Sequence, residues 1–329
     1  MRILITGVRG FVGRHLATYC LQDARNEVWG LDRPRESVVG PPLPASVRLC
    51  TADITDRPSI IAAVQEAQPD AVYHLAGRSN PASALADPSG ILKTNIYGQL
   101  HLLQGVVAAG NQARVLVVGS SKEYGSGPPG EQRTDEAVAL APVDLYGVSK
   151  VAQDMLGHHF SVSEQCHVVR VRPFNHIGPG QPDSFVASAF ARQLAEIKLS
   201  QREPWVEVGN LTPVVDFTDV RDMVRAYVLA LECGEPGAVY NIGSGQGVQI
   251  RVLLDMLIEA SGLASQVSVH PDPARQQPGN ATLIVCDASR FRTVTGWQPR
   301  YSLAETLRDL YHYWLDRLES GPVPDQPLC

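Results

Sequence analysis

The sequence predicts an α/β fold, a doubly wound parallel sheet joined to a smaller α/β lobe. Three observations carry this. Short apolar runs alternate with helical patterns through the first half. Those runs are rich in Val, Ile and Leu without clean two-residue alternation, as in strands buried on both faces. A glycine-rich turn joins the first run to the first helix. Strands are expected at Arg2–Thr6, Glu27–Leu31, Val47–Thr51, Ala71–His74, Arg114–Gly119 and His167–Arg172. Helices near Phe11–Leu21, Pro58–Ala67, Leu92–Ala109 and Tyr146–Ser163 alternate with them, which makes a parallel sheet. After Pro173 the pattern changes. A Gly/Pro loop at His176–Gly180 leads to a helix near Ser184–Leu199 and a strand near Trp205–Val208. A helix near Val220–Glu232, a strand at Val239–Ile242 and helices near Ile250–Ser261 and Leu303–Leu318 follow. Pro34–Ser46 reads as a loop, and Gly321–Cys329, with three prolines, as a frayed tail.

Composition narrows the function classes. The 329 residues are 44% hydrophobic and 19% charged, with a net charge of −6. That is globular composition with enough chain for a sizeable core. Net acidity gives no overall footprint for nucleic acid, though a local basic pocket is compatible with it. No apolar run approaches the roughly 18–20 residues of a membrane span. Cys20, Cys50, Cys166, Cys233, Cys286 and Cys329 are scattered with no C-x-x-C pair, which gives no metal site and fits a reducing cytoplasm.

Thr6-Gly7-Val8-Arg9-Gly10-Phe11-Val12-Gly13 has the strand–turn–helix setting of a dinucleotide site. Gly7 permits a tight turn, Gly10 a close approach of backbone to pyrophosphate, and Gly13 close packing of helix on sheet. Amides at Phe11 and Val12 open the helix and face the phosphates. Asp32 ends the second strand, where an acidic group bonds the adenosine ribose and favours NAD. Arg9, Arg33 and Arg35 would welcome a 2′-phosphate instead. The expected cofactor is therefore NAD(H) or NADP(H), with NAD(H) slightly favoured. Asp53 and Ile54, after the third strand, are candidate adenine contacts.

Tyr146-Gly147-Val148-Ser149-Lys150 puts Tyr146 and Lys150 one helical turn apart on one face. A nearby ammonium stabilises phenolate, so Lys150 is expected to lower the Tyr146 pKa and fit it for proton transfer. Lys150 also has the reach for the nicotinamide ribose. Ser120, ending an earlier strand, is expected to bond the substrate oxygen opposite Tyr146.

With these pieces the chain resembles the extended short-chain dehydrogenase/reductases that act on nucleotide sugars. The matching residues are TGVRGFVG, Asp32, HLAG at His74–Gly77, Asn95 in NIYG, SSKEYG at Ser120–Gly125, YGVSK and YNIGSG at Tyr240–Gly245. RPFNHIGPGQ from Arg172, DFTDVRD at Asp216–Asp222 and TGWQPR at Thr295–Arg300 resemble the branch of GDP-4-keto-6-deoxy-mannose reductases and GDP-mannose 4,6-dehydratases. The resemblance implies cofactor contacts at Leu75, Ala76 and Gly77, a structural or water-binding Asn95, and substrate contacts at Ser120, Ser121, Lys122 and Asn175. It assigns His176 no role. It implies a Rossmann lobe of residues 1–174 and 215–245, interleaved with a nucleotide-sugar lobe of 175–214 and 246–320. A homodimer through the Leu92–Ala109 and Tyr146–Ser163 helices is also implied.

Within the branch, dehydratases resemble Ser-Thr-(Asp/Ser)-Glu-x-Tyr-Gly in the turn after the fifth strand, where the Glu takes the C5 proton. Here Lys122 holds that place, and a cation is a poor base. Glu123 is displaced by one residue. The favoured activity is reduction of a 4-keto-6-deoxy sugar, GDP-4-keto-6-deoxy-D-mannose to GDP-D-rhamnose. The alternatives are a dehydratase or 4-epimerase holding NAD tightly, and a non-catalytic nucleotide-sugar sensor. Two expected arginines are missing: Val215 precedes Asp216, and Gln277-Pro278-Gly279-Asn280 stands where the branch has Arg-Pro-x-Glu. Arg192, Arg275 and Lys198 are candidate replacements. The nucleotide base is therefore the open part of the substrate.

Overall fold

β1 (Arg2–Thr6) lies inside a sheet of seven parallel strands. The description rests on a computed structural model and covers residues 1–34, 42–79, 86–110, 113–128, 133–272 and 283–321. Chain order through the first lobe is β1, α1 (Phe11–Cys20), β2 (Glu27–Asp32), β3 (Arg48–Thr51), α2 (Arg57–Ala67) and β4 (Ala71–His74). Helix α3 follows in three pieces, Pro88–Leu92, Lys93–Tyr97 and Gly98–Ala108, the middle one a π-helical turn. Then come β5 (Arg114–Val118), α4 (Leu145–Ser163) and β6 (Val168–Pro173). The sequence pattern starts this helix near Leu92 and shows no π turn; in the structure it starts at Pro88, where Asp87 caps it by accepting the Gly90 N–H.

The second half supplies β7 (Asn175–Ile177), α5 (Val186–Lys198), β8 (Trp205–Val208), β9 (Val214–Asp219), α6 (Val220–Cys233), β10 (Val239–Ile242) and β11 (Gly247–Gln249). It ends with α7 (Ile250–Ser261), β12 (Ser268–Pro271), β13 (Leu283–Ile284), α8 (Ser289–Thr295) and α9 (Leu303–Glu319). Strand order in the large sheet is β10-β6-β5-β4-β1-β2-β3. The order reverses between β1 and β4, which opens a crevice at their carboxyl ends. Of the segment 215–245, β10 joins this sheet on β6, whereas β9 pairs with β7, β11 and β13 in a small second sheet.

Alternate residues along the inner strands of the large sheet enter different cores. Ile3, Ile5 and Tyr73 pack with α1 and α6; Leu4, Val72, Val115 and Val117 pack with α2 and α3. A separate core gathers α5, α7 and α9 around Phe190, Leu254 and Leu310. Among the described residues no helix is long and apolar enough to cross a membrane, and no His, Cys, Asp and Glu cluster is placed to hold a metal.

Candidate active site

The glycine turn closes the carboxyl end of β1. Gly7 has φ +68 and donates its N–H to Leu31 O at 2.7 Å. A Cβ on Gly7 would lie 2.9 Å from Ala76 Cα, and one on Gly13 would lie 2.4 Å from Gly7 O. Gly10 caps α1 without a side-chain hydrogen bond, so the first-turn amides at Phe11 and Val12 have no side-chain acceptor. A cradle that a single Cβ would fill, ending in open helix amides, fits a dinucleotide pyrophosphate.

Around this turn the expected residues divide by what they hold. Asp32 is buried and accepts the Arg9 N–H at 3.1 Å and the Arg33 N–H at 2.9 Å. These bonds bring both arginines to the end of β2. Asp53 is exposed, and its pKa is lowered by the Thr55 amide, which it accepts at 2.8 Å. Ile54 is a core residue; a Cβ on Gly98 of α3 would lie 2.8 Å from its Cγ1. Leu75 and Ala76 amides donate to Thr6 Oγ1 at 3.1 and 3.0 Å. Gly77 lies against Asn95, where a Cβ would be 3.0 Å from Asn95 Oδ1. Asn95, within the π turn, accepts the Arg78 N–H at 2.8 Å and donates to Arg78 O at 3.1 Å and Ser149 Oγ at 2.9 Å. Its side-chain amide thus ties the loop after β4 to α4.

Ser120, Tyr146 and Lys150 come together across β5 and α4. Asp144 caps α4 by accepting the Gly147 N–H at 2.7 Å, which sets Tyr146 in the first turn. The Ser120 side chain faces the Tyr146 hydroxyl closely enough to favour its ionised form. Lys150 Nζ donates to Val118 O at 2.9 Å and lies 5.8 Å from the Tyr146 ring centre. Burial of its hydroxyl pushes Tyr146 up to about 12, with the Ser120 side chain opposing. The expected lowering by Lys150 does not appear: burial dominates, and the charges of Glu123 and Asp144 push the same way. Burial pushes Lys150 itself down to about 8, against the opposing charge of Glu123. A protonated phenol beside a serine hydroxyl is arranged to deliver a proton to an alkoxide forming between them.

The remaining candidates are placed less uniformly. Ser121 is buried and Lys122 half-buried in a 3₁₀ turn, Ser121–Tyr124. Asn175 is exposed on β7. The His176 ring stacks on Phe11 of α1, centres 6.2 Å apart, and bonds Phe174 O at 3.2 Å, so it joins the two lobes. Arg192 is held by Asp183 and by Glu196, and lies over Trp314, so two carboxylates already face it. Val215 sits in the small sheet against the second-lobe core. Arg275, Gln277 and the tail from 322 lie outside the described residues.

Three buried carboxylates have roles that the motifs alone do not assign. Asp216 accepts the Ser244, Gly245 and Cys286 amides at 3.0, 2.8 and 3.1 Å and the Ser244 hydroxyl at 2.6 Å, joining DFTD to YNIGSG. Asp222 accepts the Arg300 and Tyr301 amides at 2.7 and 2.9 Å, joining VRD to TGWQPR. Asp154, four residues beyond Lys150, pairs with Arg170 and Arg172. Its i, i+4, i+8 spacing with Tyr146 and Lys150 was the available signal.

Comparison with known proteins matches residues 4–310 to the family model described as GDP-mannose 4,6 dehydratase. The chain belongs to that family. A GDP-mannose 4,6-dehydratase family relative, GDP-6-deoxy-D-mannose reductase of Pseudomonas aeruginosa, is 34% identical over 96% of this chain and 98% of the relative. The solved structure of RMD from Pseudomonas aeruginosa, complexed with NADPH, is 32% identical with TM-score 0.83, covering 96% of this chain and 99% of that one. UDP-glucose 4-epimerase of Thermus thermophilus, in complex with NAD, is 25% identical with TM-score 0.84, covering 95% and 99%. Family membership accounts for the shared sheet and glycine turn, and leaves the direction of chemistry to the residues around Ser120.

Proposed function

We propose that the protein reduces the C4 keto group of GDP-4-keto-6-deoxy-D-mannose with NADH or NADPH, giving GDP-D-rhamnose. The observation that carries this choice is the state of Glu123. It is the carboxylate nearest the dehydratase base position, yet it is fully buried and accepts the Ser120 N–H at 2.7 Å, with Arg172 Nε at 3.0 Å. Held there, it does not serve as a base toward the sugar, and Lys122 occupies the dehydratase position. The relative named as a reductase supports the same direction.

The nicotinamide dinucleotide, when bound, supplies the hydride. The chain's residues do the rest. The Gly7–Gly13 turn and α1 amides hold the pyrophosphate, with Asp32, Arg9 and Arg33 toward the adenosine ribose. Ser120 orients the carbonyl oxygen, Tyr146 gives it a proton, and Lys150 faces the ribose and Tyr146. Asn175, Ser121 and Lys122 contact the sugar nucleotide. In this reading residues 1–174 with 215–245 hold the cofactor, and 175–214 with 246–320 hold the sugar nucleotide, in the cytoplasm. Incubation with the keto sugar and each cofactor is expected to consume cofactor in equal amount to product. No consumption at any sugar concentration overturns the proposal, and product without net consumption turns it toward an epimerase or dehydratase.

A homodimer through α3 and α4 belongs to the same reading. Val148, Met155 and Val162 repeat at seven-residue spacing on α4, 44%, 43% and 66% exposed, and Tyr97 on α3 is 56% exposed. Apolar side chains so spaced on one helix face suit a helical partner. Met155→Asp is expected to convert a dimer into monomers in light scattering after size exclusion. A wild-type monomer at micromolar concentration would remove this part.

A further inference from the structure

Behind Ser120 four charged side chains are buried together: Glu123, Asp154, Arg170 and Arg172. Glu123 Oε1 accepts the Ser120 N–H, and Ser120 Oγ accepts the Lys122 N–H at 3.2 Å, so the turn is fastened at both ends. The carboxylate lies so close under the strand end that a Cβ on Gly119 would be 2.2 Å from Oε1. Arg172 Nε lies 3.0 Å from Glu123 Oε2, but its N–H is aimed at Asp154 Oδ2 at 2.9 Å. Arg170 Nη1 donates to Asp154 Oδ1 at 2.7 Å. Arg172 Nη1 donates to the Tyr124 hydroxyl at 2.9 Å, which donates to Asn241 Oδ1 at 2.8 Å. One connected path thus runs from the Ser120 turn through β6 to the face of α4 that carries Tyr146 and Lys150.

We propose that Glu123 is a positioning residue: by tying the Ser120 amide to Arg172, and through it to Asp154, it sets the Ser120 hydroxyl against the Tyr146 hydroxyl. The inference rests on the reductive reading above. A buried ion cluster is weak evidence for stability, since desolvation offsets much of its attraction; its use is geometric. Small displacements at such a pair cost rate steeply. Burial and the charge of Asp154 push Glu123 up, so it carries a proton more readily than an ordinary carboxyl, and Gln is a close mimic.

Glu123→Leu removes the acceptor for the Ser120 amide, whereas Glu123→Gln keeps one. Glu123→Leu is expected to lower kcat about 10- to 100-fold with sugar KM within about threefold, and Glu123→Gln to recover most of the rate. In a Ser120→Ala background Glu123→Leu should cost less than about threefold, because the group it positions is gone. Wild-type rate in Glu123→Leu, equal losses in Leu and Gln variants, or losses that multiply in the double variant would overturn the proposal. Hydrogen exchange of the Ser120 amide in the substrate-free wild-type protein needs neither turnover nor a folded variant. Strong protection is expected, and exchange as fast as an exposed turn overturns the proposal. If the wild-type protein consumes no cofactor, the reductive reading fails and the exchange result alone decides this one.

Discussion

Tyr146→Phe is expected to lower kcat by about 10²- to 10⁴-fold, the usual contribution of a positioned acid. The loss should fall on kcat and kcat/KM alike, because the proton is delivered only as the alkoxide forms. Tyr146 keeps its proton through neutral pH, being pushed up to about 12, so it is ready as a donor without prior ionisation. The pH dependence then falls to Lys150. Its ammonium, pushed down to about 8 by burial, is complete below that pH and lost above it. The kcat/KM profile should therefore fall about tenfold per unit above roughly pH 8, since kcat/KM reports the free enzyme's groups. A flat profile to pH 10, or a Phe variant within threefold of wild type, would remove Tyr146 and Lys150 from these roles.

Asp216→Ala is expected to destabilise the protein by about 3–5 kcal/mol, because three backbone amides lose their acceptor at once and each stranded donor costs about 1–3 kcal/mol. Burial pushes the Asp216 carboxyl pKa up, while the Ser244, Cys286 and Gly245 hydrogen bonds oppose it. Asp216→Asn keeps one acceptor oxygen and should lose less. Urea unfolding gives the difference, and a loss under about 1 kcal/mol would show that this carboxylate does not fasten the loop. The position also explains a departure noted in the sequence. Val215 beside it belongs to a small sheet whose neighbours, Val248 and Ile284, are apolar, so its side chain serves packing.

The large sheet was legible because its inner strands are buried on both faces and need continuous apolar runs, as at Arg2–Thr6 and Ala71–His74. The small sheet was not. β7 and β9, NHI and VVDFTD, are short and mix polar with apolar residues: Ile177 and Phe217 enter the second-lobe core while Asp216 accepts backbone amides, so no continuous apolar run marks them. Ser120, Tyr146 and Lys150 were legible because their chemistry and spacing are restrictive. Glu123 was visible only as a residue out of place. That it is fully buried and paired with Arg172 depends on β6 lying beneath the turn, which spacing does not encode. Arg192 shows the opposite failure: a free-looking cation in sequence, already held by Asp183 and Glu196 in the fold.

The place of β10 in the large sheet bears on how the chain is made. β6 ends at Pro173, but its neighbour β10 starts only at Val239. A ribosome adding about 5–20 residues per second leaves β6 without that partner for roughly 3–13 s. During that interval the nascent sheet exposes an open edge strand, the feature most prone to pairing with another chain. Arg170 and Arg172 put two positive charges on that strand. Until α4 packs on β6 and Asp154 meets them, these two guanidiniums are charges on an open edge, which disfavour pairing with another chain.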